Sequence, residues 1–221
     1  YYRLSAGALT FCLFYKYSSL KNKYLNQLSS YALISLYSDC IDMSSELNRS
    51  IYYMATQLSQ SMLPRFVKDF IGSTVFKRRF IEFTLVPKIN ALFRAEELDI
   101  LNEYFFNDKI DTFTYSGLIE KIIRIQEESR KLVDLVTDII PRDVLDNFVI
   151  ANLTQCNIPY KVHKLYNYTG VIANSLAQEY SKPCIVLCDD GNQIKGSFRD
   201  LLGRYYLSIF TQLCNCGGHP S

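Results

Sequence analysis

Two stretches near the end of this 221-residue chain carry residues whose types and spacing suit an anion. The first is Ile194-Lys195-Gly196-Ser197-Phe198-Arg199-Asp200; the second is Gly217-Gly218-His219-Pro220-Ser221. Both read as tight turns. Glycine there lets backbone N–H groups approach a phosphate closely, and each turn adds a cationic or proton-exchanging side chain. Lys195, Ser197 and Arg199 from the first, with Gly217, Gly218 and His219 from the second, make the candidate phosphate-binding set. A Lys-Gly-Ser alone more often marks a hairpin turn and a lone Gly-Gly-His a loop. The two together, with an apolar strand before the first and a helix between them, are more specific.

Two further places hold suitable chemistry. Asp39 closes an apolar, helix-like run in Ser38-Asp39-Cys40-Ile41-Asp42-Met43; by itself it also reads as a helix cap or the start of a turn. In Val86-Pro87-Lys88-Ile89-Asn90-Ala91-Leu92-Phe93-Arg94, Asn90 and Arg94 offer amide and guanidinium donors to a sugar-phosphate backbone. The alternative there is an Asn-capped helix with Arg94 on its surface. The seven cysteines are odd in number and scattered, which argues against a secreted disulfide framework and for a reduced, cytoplasmic protein. Cys184-Ile-Val-Leu-Cys188 reads as a strand, on which residues four apart lie ~13 Å from each other and cannot share a metal. Small buried side chains are the expected role for both.

The elements that must position these residues follow from periodicity. A composition of 48% hydrophobic and 21% charged residues suits one or two globular domains, and a net charge of +2 means that a polyanion must be held by a local basic patch. No apolar run approaches the ~20 residues needed to span a bilayer, so no membrane partner is expected. From Leu4 to about Phe76 the chain reads as helices, with small residues at Leu4-Ser5-Ala6-Gly7-Ala8-Leu9 allowing close packing and Phe11, Leu13 and Phe14 expected in the core. The basic residues between Ser61 and Arg79 read as a solvated face. Ile81-Glu82-Phe83-Thr84-Leu85 alternates like a short strand. A long amphipathic helix is predicted from about Tyr115 to Ile139, ~37 Å in length, stopped by Pro141 and able to connect two domains. Beyond it, strands over 148–153 and 184–188 alternate with a helix over Thr169–Tyr180, and a last helix runs from Leu201 to Leu213 with Leu202, Tyr205, Tyr206, Ile209 and Leu213 as its core stripe.

Taken in order, these motifs resemble the DHH phosphoesterases, in particular the RecJ-like branch of single-strand-specific exonucleases. Members of that branch carry a Lys-Gly-Ser-Gly-Arg-Ser-like turn and a Gly-Gly-His-Pro-x-Ala-like loop; here Phe198 and Asp200 depart from the first. Their Pro-Arg-Ile-Asn-Ala-Ala-Gly-Arg segment is similar to Pro87–Arg94, with Leu92 and Phe93 departing, and their Gly-Ile-Val-Ala-Ser-Arg-Leu helix is similar to Gly170–Leu176. The stretch Ala32–Met43, followed by Glu46-Leu47-Asn48-Arg49, resembles the family segment that brings one Asp to a metal site. The resemblance implies an α/β fold: the mainly helical end of a DHH domain over 1–111, a connector helix over 112–140 and a DHH-associated substrate-binding domain over 141–221. It also implies that Asp39 is a catalytic metal ligand in a two-metal Mn²⁺ or Mg²⁺ site, with most ligands expected upstream of Tyr1. Two such ions can clamp the attacking water and the leaving oxygen of a phosphodiester. Asn90, Arg94, Lys195, Ser197, Arg199 and His219 would then grip single-stranded DNA or an oligonucleotide, with replication or repair proteins as further partners. Two alternatives stand beside the exonuclease: a catalytically silent nucleic-acid-binding or scaffold protein, and a phosphodiesterase for short oligonucleotides or cyclic dinucleotides.

Overall fold

The computed structural model describes residues 4–17, 23–107, 110–156, 165–189, 191–202 and 206–216. Two compact units make up the chain, one from Tyr1–Phe93 with Glu97–Ile123 and one from Arg94–Glu96 with Arg124–Ser221. Among the described residues no helix is long and apolar enough to cross a membrane.

The first unit is helical: α1 (Ala6–Tyr17), α2 (Lys23–Ser38), α3 (Glu46–Thr56), α4 (Arg65–Ile71), α5 (Arg78–Phe80), α6 (Val86–Arg94, whose last residue belongs to the second unit), α7 (Leu98–Phe106) and the first part of α8 (Thr112–Ile139). Gly7 lets α1 lie against α2, since a β-carbon there would stand 2.7 Å from that of Ser35. Only Ala8 and Phe11 of α1 are buried, however; Leu13 and Phe14, expected in the core, are about half exposed at 51% and 52%. Asp69 on α4 ties the later helices together by accepting the hydroxyl protons of Tyr104 at 2.9 Å and Tyr115 at 2.5 Å. The two rings stack with centroids 5.0 Å apart, and the Arg65 guanidinium lies 3.2 Å from the Tyr115 ring centre. Burial first, and the Asp69 carboxylate with it, pushes both phenols up, so they stay protonated donors.

Ile81–Leu85, which alternates like a strand, is a π-helical turn joining α5 to α6. The i, i+4 pair Ile81 and Leu85 is buried, at 0% and 1% exposure, while Phe83 is 73% exposed. Pro87 is the physical reason for the wide turn. A proline ring inside an α-helix clashes with the carbonyl four residues back and donates no hydrogen bond; the loop closed by Val86 N–H on Ile81 O makes room for it. Helix α8 starts at Thr112, where the Asp111 carboxylate accepts from the N–H groups of Phe113 and Thr114, each at 3.0 Å. Its 28 residues contribute to both units.

The second unit holds a mixed four-stranded sheet in the order β1 (Arg142–Val144), β2 (Val149–Asn152), β3 (Cys184–Asp189) and β4 (Ile194–Arg199). Strands β2 and β3 are parallel, and the crossover between them carries α9 (Thr169–Tyr180), as parallel pairing requires; the other two pairings are antiparallel. The core under α9 combines Val133 and Val136 of α8, Ile140 just after it, Val149 and Ala151 of β2, Ile172, Ala173, Leu176 and Ala177 of α9, and Cys184, Val186 and Cys188 of β3. Burial of each large aliphatic side chain there contributes ~1.5–3 kcal/mol. Cys184 and Cys188 are the small buried side chains expected, and burial pushes the Cys184 thiol up to about 12.

The segment read as a Lys-Gly-Ser turn is strand. Gly196 faces Leu187 in the β3–β4 ladder, and a β-carbon on it would lie 2.3 Å from the Val186 carbonyl oxygen. Glycine is therefore required there by strand contact. The final helix is also shorter than expected: α10 covers Leu207–Leu213, Leu201 and Leu202 lie in a turn, and Leu202, Ile209 and Leu213 are 70%, 55% and 76% exposed. Its inner contact comes from Phe210, which joins Phe148, Phe198 and Tyr206 in an aromatic group. Replacing Gly196 by Ala should therefore lower unfolding free energy by about 1–3 kcal/mol, the usual cost of overpacking. Urea denaturation followed by circular dichroism measures this; a midpoint equal to that of the unsubstituted chain would mean that the ladder has room for a methyl group.

Candidate anion-binding site

Side chains along a strand alternate between faces. The β3–β4 register places Arg199 opposite Cys184, Ser197 opposite Val186 and Lys195 opposite Cys188, and those three β3 residues are the ones buried under α9. Lys195, Ser197 and Arg199 thus share the α9 face of the sheet. Phe198 takes the other face, within the aromatic group. Asp200, buried at the strand end, accepts from Leu202 N–H at 3.1 Å and starts the next turn.

Helix α9 brings its first turn to this strand. Thr169 donates its hydroxyl proton to the Tyr166 carbonyl at 2.9 Å and lies 2.9 Å from the Ser197 hydroxyl; having one proton to give, it accepts there and Ser197 donates. Gly170 leaves room for a guanidinium, since a β-carbon on it would stand 3.0 Å from Arg199 Nη2. Arg94, the last residue of α6, joins them. Asn167 holds the turn behind it, donating to the Arg94 carbonyl at 3.2 Å and to Glu96 Oε1 at 3.1 Å. Glu96 has φ of +60°, and the Glu97 N–H closes back on the Leu92 carbonyl at 3.0 Å.

Together these residues enclose a cleft of about 580 Å³ lined by Arg94, Tyr166, Asn167, Thr169, Gly170, Val171, Asn174, Ser197 and Arg199. Its electrostatics are one-sided. Among the described residues no carboxylate pairs with either guanidinium; Arg199 bonds only the Phe198 carbonyl, at 2.8 Å, and not Asp200. Burial holds the Arg94 guanidinium below its ordinary value, with the Tyr168 phenol acting the other way, yet an arginine stays charged at any physiological pH. The start of the 12-residue α9 adds the positive end of a helix dipole, worth roughly half an elementary charge. Three positive groups converge without a negative partner, alongside a hydroxyl pair and an amide: the arrangement suits a phosphate.

The other sequence-derived residues fall elsewhere. Lys195 places its ammonium 5.1 Å from the ring centre of Tyr166, which is itself a wall of the cleft. Asn90 is half-buried one turn before Arg94 on α6 and does not line the cleft. Gly217, Gly218 and His219 lie outside the described residues. Asp39 belongs to the first unit, exposed just after α2. Its position is set by a Schellman closure, with Cys40 N–H on Tyr37 O at 3.2 Å, Ile41 N–H on Leu36 O at 2.9 Å and Cys40 itself at φ +50°. A divalent ion takes several oxygen ligands, and among the described residues no group of three or more His, Cys, Asp or Glu could hold one; Asp39 alone does not make a metal centre.

Sequence reasoning passed over Thr169, Gly170, Tyr166, Asn167 and Asn174. A glycine in the first turn of a predicted helix is the usable signal among them, because it marks where a helix N-terminus admits a close neighbour. The geometry makes a specific claim on that glycine. Gly170→Val should displace the Arg199 guanidinium and lower affinity for inorganic phosphate by tenfold or more, with the thermal midpoint little changed because the contact is with the far end of a flexible side chain. Phosphate titration by calorimetry checks this, and undiminished affinity in the variant would remove Arg199 from the anion's surroundings.

No protein-family model and no curated protein matches the chain. Its fold is similar to those of solved RecJ structures. RecJ from Thermus thermophilus in complex with Mn²⁺ aligns with a TM-score of 0.59 at 13% identity over 73% of this chain and 24% of that one. The Mg²⁺ complex of the same protein gives 0.58 at 14% identity, over 73% and 25% of the two chains. An exonuclease RecJ bound to manganese gives 0.57 at 15% identity, over 80% of this chain and 44% of that one. The chain thus spans from 24% to 44% of the length of these structures, and the likeness at such identity is one of fold: a helical part, a long helix and a small α/β part, as in RecJ.

Proposed function

We propose that this chain is the substrate-gripping part of a RecJ-like, metal-dependent phosphodiesterase that acts on single-stranded DNA. The observation that carries this reading is the convergence of Arg94, Arg199 and the α9 N-terminus on one cleft, with no carboxylate partner among the described residues. A RecJ-like fold supports nuclease chemistry, since the matched structures are of an exonuclease RecJ with manganese and of RecJ with manganese or magnesium.

On this reading Arg94 and Arg199 hold backbone phosphate through charge-assisted hydrogen bonds, and the Ser197 and Thr169 hydroxyls fix its orientation. Asn90 and Lys195 extend the grip along the strand, and His219 with Gly217 and Gly218 adds a phosphate contact. Asp39 contributes one carboxylate to a centre whose remaining ligands are not among the described residues. A divalent ion bound there would supply Lewis-acid activation of water.

Arg94→Ala and Arg199→Ala are each expected to weaken binding to a labelled single-stranded oligonucleotide about tenfold at low salt. Each should also reduce the slope of log affinity against log salt by about 0.7, the release of one phosphate contact. Fluorescence anisotropy at several salt concentrations tests this; equal affinities and slopes in both variants would leave the cleft without a nucleic-acid role. In a preparation that hydrolyses DNA, Asp39→Asn should lower turnover by at least a hundredfold with oligonucleotide affinity within twofold. A parallel fall in both would argue against a metal-ligand role.

A further inference from the structure

We infer that Tyr166 is a stacking platform for a nucleobase, so that the cleft receives a whole nucleotide unit and not a bare phosphate. The inference rests on the anion-binding reading of the same cleft and adds the second half of the ligand.

Tyr166 opens the 3-10 turn Tyr166–Tyr168 that leads into α9, and its position there is not explained by packing. It is 38% exposed, whereas Tyr168, two residues on, is 5% exposed and pairs its hydroxyl with Ser129 Oγ at 3.1 Å. Tyr166 instead forms a wall of the cleft that holds Arg94 and Arg199. Lys195 stands over its ring, 5.1 Å from the centroid, and an ammonium over a ring occupies one face only. A flat aromatic surface beside cationic groups is what sequence-tolerant single-strand binding uses, the base on the ring and the phosphate on the cations.

The remaining walls fit a base better than an ion. Asn174 lies one helical turn after Gly170 on the cleft side of α9, and among the described residues nothing engages its amide, which offers a donor and an acceptor to a base edge. Val171 adds apolar surface. A volume of about 580 Å³ falls within the ~300–1,000 Å³ of sites that enclose organic ligands. The ligand class is therefore a nucleoside monophosphate, free or at the end of a strand.

The test compares the full chain's affinity for deoxyribose 5-phosphate with that for dAMP and dTMP by calorimetry. The unsubstituted chain should bind the nucleotides about 5- to 100-fold more tightly than the sugar phosphate, the range that base–aromatic stacking supplies. Tyr166→Leu, which keeps an apolar side chain but no ring, should erase that preference and leave sugar-phosphate affinity within twofold, while Tyr166→Phe should retain it. Equal binding of nucleotide and sugar phosphate by the unsubstituted chain, or a preference that survives Tyr166→Leu, would overturn the platform and leave the anion site standing. Failure of all three ligands to bind would overturn the anion reading and the platform with it.

Discussion

The close approach of β4 to β3 at Gly196 is the constraint on which the second unit's chemistry depends. Strand pairing has a period of two, so a slip of one residue would turn Lys195, Ser197 and Arg199 to the opposite face and bring Phe198 under α9. Gly196 pins the register because no other residue fits against the Val186 carbonyl. The aromatic group around Phe198 holds it from the other side, where Phe148, Tyr206 and Phe210 gather. A glycine and a phenylalanine that never touch the cleft thus determine which side chains reach it.

Given that register, the cleft follows from two glycines with different tasks. Gly196 admits a neighbouring backbone, and Gly170 admits a guanidinium at the start of a helix. Placing a cation beside the positive end of a helix dipole is unfavourable by itself, and Arg94 adds a second cation with no carboxylate in return among the described residues. The folded chain tolerates this because both arginines keep contact with water and the core beneath is aliphatic and closely packed. An anion in the cleft would turn that repulsion into attraction.

Much of this architecture was legible in the chain. The helix over Thr169–Tyr180 and the buried strand beginning at Cys184 stand where periodicity puts them, since each satisfies one pattern without competition. Other elements were ambiguous for identifiable reasons. Ile81–Leu85 satisfies alternation and i, i+4 spacing alike, and Pro87 just beyond it decided between them through a wide turn. Lys195-Gly196-Ser197 carries turn residues but lies in a ladder, because a glycine in a strand looks like a turn unless the partner strand is known. The cleft itself was less accessible. Arg94 and Arg199 are far apart in sequence, and their meeting depends on Asn167 bridging to the turn after α6, a contact without a local signature. The metal-ligand reading of Asp39 came from resemblance to a family, since by itself the residue reads as a cap or turn; the glycine-histidine segment was picked out by its residue types, and it lies outside the described residues.

Among the described residues three helices end on residues in left-handed conformation that are not glycine: Cys40 after α2, Glu96 after α6 and Ser181 after α9. Each L-residue in that conformation costs roughly 1 kcal/mol that glycine would not incur. None of the three side chains lines the cleft. The chain therefore holds a reserve of thermal tolerance at positions remote from ligand chemistry, and a designer seeking a hardier scaffold could draw on it there. Two of the three stand within two residues of Asp39 and Arg94, so backbone tension is concentrated beside those two side chains.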